Sequence, residues 1–291
     1  MHVPERPGPA PLANPRSDRV KAVRRLSGRS ARVREGRFAV EGPQAVREAV
    51  AGPGVLALYA TDDAAGRHAA ILDAARARGV EPVPVTDEVM AAMTETVTPQ
   101  GLLAVCRLVD VPLADVVARA PRLVAVLAHV RDPGNAGTAI RAADAAGADA
   151  VVLTDASVDV HNPKCVRSTA GSLFHLPVVT GVPLADAVAA LRAAGLTVYA
   201  ADGAGDLDLD DLLDAAEEVR RSGGPDEGAP AGLAGPVAWV FGNEAWGLPE
   251  ADRALADAVV RVPVHGQAES LNLGTAATVC LYAAARAHRP L

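Results

Sequence analysis

Aromatic residues are scarce in this chain: two Trp, three Tyr and three Phe among 291 residues. Its core must therefore be filled mainly by Ala, Val and Leu. Cysteine is scarcer still. Cys106, Cys165 and Cys280 stand far apart, with no CxxC and no Cys/His cluster. That pattern excludes a disulfide framework, offers no zinc or other metal site, and reads as reduced, mostly buried thiols of a cytoplasmic protein. No apolar run reaches the ~18 residues that a membrane-spanning helix needs. Residues 1–15 are rich in proline and lack an apolar stretch, which predicts a disordered tail and no signal peptide. No GxGxxG follows a strand and no GxxxxGKS/T occurs, which removes the dinucleotide-binding and P-loop classes.

Charge is unevenly spread. The formal net charge is −7, which by itself disfavours a nucleic-acid partner. Yet residues 16–37 hold nine basic side chains against Asp18 and Glu35, a local balance of +7, whereas residues 202–227 hold ten acidic side chains against Arg220 and Arg221, a balance of −8. Beyond about one Debye length, ~8–10 Å, distant charges are screened, so a basic segment attracts phosphate even in an acidic protein. The alternative is an exposed, solvated charged helix.

Read in order, the chain suggests two α/β domains. Val20, Val23 and Leu26 recur at helical spacing in the basic segment. Strands are expected within 32–42, with Phe38 and Val40 on one face, and at 55–59, 82–85 and 101–108, with helices at 44–50, 64–78 and 87–93, the last capped by Thr86. This unit takes residues 16–110, and residues 111–121 read as a linker. The second domain, 122–291, opens with an all-apolar strand at 123–128. A polar loop at 129–137 then leads to a helix at 138–146 and a strand at 150–153, a βαβ unit that predicts a parallel sheet. The stretch 162–172 is a helix start rich in donors, among them Lys164 and Arg167. Residues 206–235 read as an acidic surface insertion, partly disordered, with an acidic amphipathic piece over 209–219.

Two stretches near the end carry the chemistry. In residues 240–248, VFGNEAWGL, an apolar strand stops at Gly242 and delivers Asn243 and Glu244 into a turn. Parallel sheets build sites at such strand ends. In residues 262–274, VPVHGQAESLNLG, a short strand runs into a loop ending at Ser270, a candidate N-cap for a small-residue helix from 275 to 287. Each polar residue here also has a plain structural reading: Asn135 a turn residue, Arg141 a partner for Asp144 or Asp132, Glu244 a loop carboxylate, Asn272 a first-turn side chain.

Together with Asn135 and Arg141, these stretches resemble the three motifs of the SpoU/TrmH branch of the SPOUT RNA methyltransferases. The likeness is close over residues 122–288 and looser over 14–109, where 32–42 and 98–105 resemble the substrate-binding domain of members that act on 23S rRNA. The resemblance implies a C-terminal α/β trefoil knot with a parallel sheet, preceded by a small α/β domain like ribosomal protein L30e. It implies transfer of a methyl group from S-adenosylmethionine to a ribose 2′-hydroxyl of structured RNA by a homodimer, with the site near the subunit interface. It assigns catalytic roles to Asn135, Arg141, Glu244, Ser270 and Asn272, with Asn135 orienting the arginine and Glu244 positioning the arginine or the ribose. It places Gly242, Val262 and Leu271 against the cofactor. Residues 200–203 and Glu269 are weaker candidates. Arg29, Arg32, Lys164 and Arg167 are the expected RNA contacts. A tRNA methyltransferase of the same fold, or a non-catalytic RNA-binding protein, are the alternatives.

Overall fold

The computed structural model describes residues 10–222 and 232–289. It divides into two compact units, one running to Leu108 and including His161–Arg167, the other comprising Val109–Val160 and Ser168–Leu291.

The first unit begins with α1 (Asp18–Arg25), whose N-cap Ser17 accepts from the Val20 amide, and α2 (Arg29–Glu35). Then come β1 (Arg37–Glu41), α3 (Pro43–Ala51), β2 (Val55–Ala60), α4 (Asp62–Arg67), α5 (Ala69–Ala77), β3 (Val83–Pro84), α6 (Asp87–Met93) and β4 (Leu102–Arg107). The sheet order is β1-β4-β2-β3. One helix was expected over 64–78; the backbone breaks at His68, which leaves helical geometry between α4 and α5. Val20, Val23 and Leu26 bury one side of α1 against Val89, Met90 and Met93 of α6 and against Leu103 and Val105. The basic side of α1 therefore faces away from a core of ordinary aliphatic packing.

Two expectations need correction here. Residues 1–9 lie outside the described residues, but Leu12, expected in the disordered tail, bridges to Val85 and packs on that core. A strand was also expected to cover the region from Arg32; residues 29–35 are helical and end at Gly36, whose φ of 63° suits a residue without Cβ.

The second unit contains α7 (Leu113–Val117), β5 (Leu123–Leu127), α8 (Pro133–Ala145), β6 (Ala150–Thr154), α9 (Pro163–Thr169), β7 (Val178–Val182), α10 (Leu184–Ala193), β8 (Thr197–Ala201), β9 (Leu207–Asp208), α11 (Leu209–Ser222), β10 (Val237–Phe241), α12 (Glu250–Arg253), β11 (Ala258–Arg261) and α13 (Leu273–Ala287). Helix α9 crosses the division, since its residues through Arg167 belong to the first unit. Seven strands pair in the order β7-β6-β5-β10-β8-β11-β9, and every pairing is parallel. The expected parallel sheet is present. The central strands β5, β6 and β10 are buried along their whole length, as all-apolar strands covered on both faces must be.

The expected linker is part of this unit. Val111 donates to the Val178 carbonyl at 2.9 Å, and Val116 of α7 is 2% exposed within the core. The expected insertion is also structural where it is described. Its β9 is the edge strand of the sheet, α11 is an amphipathic helix, and Leu209 and Ala216 are buried. Glu217 of α11 accepts from Arg286 of α13 at 3.2 Å. Residues 223–231 of that segment lie outside the described residues.

Candidate functional site

The site lies at the carboxyl ends of β10 and β8, where parallel strands deliver loops. A cavity of about 450 Å³ opens there, within the ~300–1,000 Å³ of small-molecule sites. Its lining includes Ala201–Gly203 as expected, Gly242 and Glu244 after β10, and Val262, Glu269, Ser270, Leu271 and Asn272 before α13. The three expected cofactor positions, Gly242, Val262 and Leu271, thus share one cavity with three of the five expected catalytic residues.

Gly242 is needed by the geometry. A Cβ there would overlap the Gly247 backbone and lie 2.7 Å from the Leu248 nitrogen. The turn is drawn in by paired hydrogen bonds at 2.9 Å between Asn243 and Gly247, each amide donating to the other's carbonyl. Asn243, 5% exposed, donates from Nδ2 to the His129 carbonyl at 2.7 Å and accepts from the Ala245 amide at 2.9 Å. It ties the turn after β10 to the turn after β5. Asp202 fastens the next strand end, accepting from the Ala204 amide at 3.0 Å and the Leu248 amide at 3.4 Å. Asp202 lies within the weaker candidate stretch 200–203, and Asn243 was expected only as a polar residue delivered into the turn after the strand; neither was assigned a role in holding the loops together.

Helix α8 starts earlier than expected. Asp132 is its N-cap, accepting from the Asn135 amide at 2.8 Å, and Pro133 occupies the first turn. Asn135 is therefore a first-turn helix residue, not part of a loop. Glu244 reaches this same helix end: it accepts from the Asp132 amide at 3.2 Å, from the Arg131 amide at 3.4 Å, and from Asn135 Nδ2 at 3.2 Å. Asn272 Nδ2 donates to Asn135 Oδ1 at 3.0 Å. Asn272, and not Ser270, caps α13, accepting from the Gly274 amide at 2.9 Å. A Cβ on Gly274 would lie 2.7 Å from Thr138 Cγ2, so α8 and α13 approach closely there. Asn272, Asn135 and Glu244 form one continuous chain of hydrogen bonds joining the amino ends of two helices. Such ends carry partial positive charge and favour an anion or a developing oxyanion.

Arg141 stands apart from this chain. It is exposed, has no carboxylate partner among the described residues, and does not line the cavity. Neither Asp144 nor Asp132 pairs with it; Asp144 accepts from His175 Nδ1 at 2.7 Å. Asn135 does not hold it either. Six residues of α-helix turn the side-chain direction by roughly 240°, so Asn135 and Arg141 leave α8 on different sides.

The expected RNA contacts divide. Arg29 is exposed at the start of α2 and has no carboxylate partner among the described residues, and Lys164 is exposed on α9. Arg32 is 2% exposed and donates from one guanidinium nitrogen to the carbonyls of Leu26 at 2.8 Å and Ser27 at 2.5 Å. It closes the α1–α2 turn and is not available to phosphate. Arg167 donates to Glu41, which is also bonded to Thr96, at 3.2 Å. Among the described residues no His/Cys/Asp/Glu group is arranged for a metal ion, and no helix is long and apolar enough to cross a membrane.

Comparison with known proteins shows which family the chain resembles. The profile of the SpoU rRNA Methylase family matches residues 122–282, and that of the MRM3-like substrate binding domain matches residues 17–104. The chain is 34% identical over 271 residues, 93% of its length and 97% of the relative's, to the 23S rRNA (guanosine(2553)-2′-O)-methyltransferase RlmP of Bacillus subtilis. It is 32% identical to a 23S rRNA (uridine(2479)-2′-O)-methyltransferase of Streptomyces viridochromogenes, over 94% of this chain and 96% of that one. A crystal structure of an AdoMet-bound rRNA methyltransferase from Sinorhizobium meliloti superposes with a TM-score of 0.79 at 29% identity, covering 97% of this chain and 99% of that one.

Proposed function

Because the chain belongs to the SpoU family of rRNA methylases, we propose that it transfers the methyl group of S-adenosylmethionine to a ribose 2′-hydroxyl of 23S rRNA. The observation that carries this reading is the Asn272–Asn135–Glu244 chain beside the 450 Å³ cavity. Relatives named for 23S rRNA 2′-O-methylation span almost the whole chain, which favours rRNA over tRNA.

The residues present fit the cofactor. Phe241, Val262, Leu271 and Ala276 supply apolar wall, and Gly242 keeps open space that a Cβ would fill. When bound, S-adenosylmethionine supplies an electrophilic methyl on a sulfonium, which leaves as a neutral thioether and needs no acid. The difficult partner is the ribose hydroxyl, a weak acid that must be brought to near-attack distance, ~3 Å, as its charge develops. Ser270 and Asn272, at the cavity wall, are placed to hold ribose or phosphate oxygens. The hydrogen-bonded chain fixes Asn272 before substrate arrives, so little reorganisation is needed during reaction. Glu244 holds that chain to the amino end of α8 instead of positioning the arginine.

Arg141 supplies a fixed positive charge. It stabilises by proximity the negative charge that develops on the hydroxyl oxygen and does not act as a base. Its distance from the lining of its own cavity supports a homodimer in which each site takes Arg141 from the second copy. Arg29 and Lys164 bind phosphate on the first unit, and the enzyme works in the cytoplasm.

The test is transfer of labelled methyl to 23S rRNA, 16S rRNA and tRNA, with mapping of the product. A 2′-O-methylated nucleotide in 23S rRNA is expected. Methyl found on a base, or only on tRNA, would displace this reading; cofactor binding without transfer to any RNA would leave an RNA-binding protein. Mixing Arg141→Ala with Glu244→Ala chains tests the shared site, since a mixed dimer carries one intact site and should recover activity that neither variant has alone.

A further inference from the structure

We propose that Trp246, with Arg131 packed on its ring, is a platform on which an unstacked RNA base docks at the mouth of the site. The inference rests on the function proposed above and names a substrate-positioning group for it.

Aromatic side chains in this protein are otherwise mostly core. Trp239 and Phe38 are 0% exposed, Phe241 2%, Tyr59 3% and Tyr199 4%, whereas Trp246 is 50% exposed. Its exposure does not come from a loose loop. It sits inside the turn closed by the paired Asn243–Gly247 hydrogen bonds, and its neighbours Ala245 and Gly247 line the cavity. A rigid turn therefore holds a large π-surface at the cavity's edge, two residues from Glu244. The Arg131 guanidinium lies over this ring, 4.9 Å from its centroid, and no carboxylate pairs with it among the described residues. The Arg131 backbone amide donates to Glu244 at 3.4 Å, so its anchor point belongs to the site's hydrogen-bond chain. The cation lies over the indole and retains donors for a phosphate, and half of Trp246 remains exposed.

That combination matches single-stranded RNA chemistry. Unstacked bases are held on aromatic rings and guanidinium planes, and stacking tolerates any base because every base has a π-face. A duplex would present its phosphates to Arg131 but no free base to Trp246.

The experiment measures methylation of a 23S rRNA transcript by the full chain and by Trp246→Ala, Trp246→Phe and Arg131→Ala. Trp246→Ala should raise the KM for RNA by about tenfold or more, the usual scale of one lost base stack, with cofactor affinity unchanged. Trp246→Phe should recover most of the loss, which a general folding defect would not allow. In the wild type, single-stranded oligoadenylate should quench tryptophan emission; in Trp246→Phe, where only Trp239 remains, the signal should stay flat. A wild-type KM in Trp246→Ala, equal impairment of the Ala and Phe variants, or emission that follows protein concentration but not RNA would overturn the platform, the last pointing to a protein contact. A wild type that methylates no RNA would instead overturn the proposed function, while the quenching result would still decide whether Trp246 meets a base.

Discussion

At the cavity, Asn135, Glu244 and Asn272 satisfy one another; on the first unit, Arg29, Arg32 and Arg167 each do something different. The polar chain at the cavity is continuous, running from the α13 cap through Asn135 to the amino end of α8. The basic set divides into an exposed cation, a buried clamp on the Leu26 and Ser27 carbonyls, and a partner of Glu41. Ordered motifs fix which strand end or helix end a residue occupies, and shared ends bring residues together. Charge density fixes only that some cations are present. Whether a given arginine faces solvent or caps a turn depends on where carbonyls are left unpaired.

The largest expected effect comes from Arg141, a cation that belongs to neither set. Arg141→Ala should lower turnover ~100–1,000-fold, the loss seen when one charge-stabilising group leaves a dry site, while cofactor affinity stays within a few-fold. The split follows from geometry: Arg141 does not line the cavity that would hold the cofactor. Calorimetry and single-turnover methylation measure the two quantities. Retention of a tenth of wild-type turnover would remove Arg141 from the mechanism.

Next in size is a change at the sheet edge. Leu209 is 2% exposed at the start of α11. Leu209→Ala should cost roughly 2–5 kcal/mol of stability, the range for a buried leucine truncated to alanine. Activity below the new melting point should be near normal. Denaturant unfolding against the wild type checks the first claim. A stability loss below the range for a buried leucine would restore the view of residues 206–222 as dispensable.

The same segment shows why some of the fold was legible in the sequence and some was not. Strands β5 and β10 are uninterrupted apolar runs, β6 is apolar up to its last residue, Thr154, and their parallel pairing follows from the helices between them. The segment at 206–222 is mostly acidic; its amphipathic spacing over 209–219 is legible in the sequence, but two buried side chains are too few to show that it packs as a strut on α13. Proline and two glycines near Asn135 suggest a loop, whatever role the residue plays in it. Proline in the first turn and Asp132 as cap are equally a helix start, and only the position of Glu244 decides between them. The Asn272–Asn135–Glu244 chain joins residues more than a hundred positions apart, so no local pattern could place it. The resemblance named its members without their bonds.

A smaller effect separates Arg29 from Arg32, both in α2. Arg32→Met keeps much of the side chain's bulk but leaves two carbonyls without their donor. It should destabilise the first unit by about 1–3 kcal/mol, the cost of buried groups left unsatisfied. Arg29→Ala should leave stability unchanged and weaken RNA binding, flattening the log–log salt dependence by about 0.7–0.9 for the one lost phosphate contact. Thermal melts and RNA titrations at several salt concentrations distinguish them. If Arg32→Met weakened RNA binding without lowering the melting point, the buried-clamp assignment would be wrong.

The smallest effect at neutral pH comes from the thiols, and it sets the pH range in which these arginine tests remain clean. Burial pushes Cys106 in the first unit and Cys280 in the second up to about 12, from an ordinary 9.0. The folded chain therefore keeps both protons where the unfolded chain releases them. The stability this contributes is fully present below about pH 9 and is lost as pH rises towards about 12, by about 1.4 kcal/mol per thiol for each pH unit in that window. Denaturant melts of wild type, Cys106→Ala and Cys280→Ala at about pH 7.5, 9 and 10.5 would test this. Each variant should start less stable than the wild type at the lowest pH, because a buried thiol packs as a small hydrophobe, and should close part of that gap at the highest. Parallel curves across the series would mean that these thiols already ionise in the folded chain, and rapid alkylation of the native protein at about pH 8 would lead to the same conclusion.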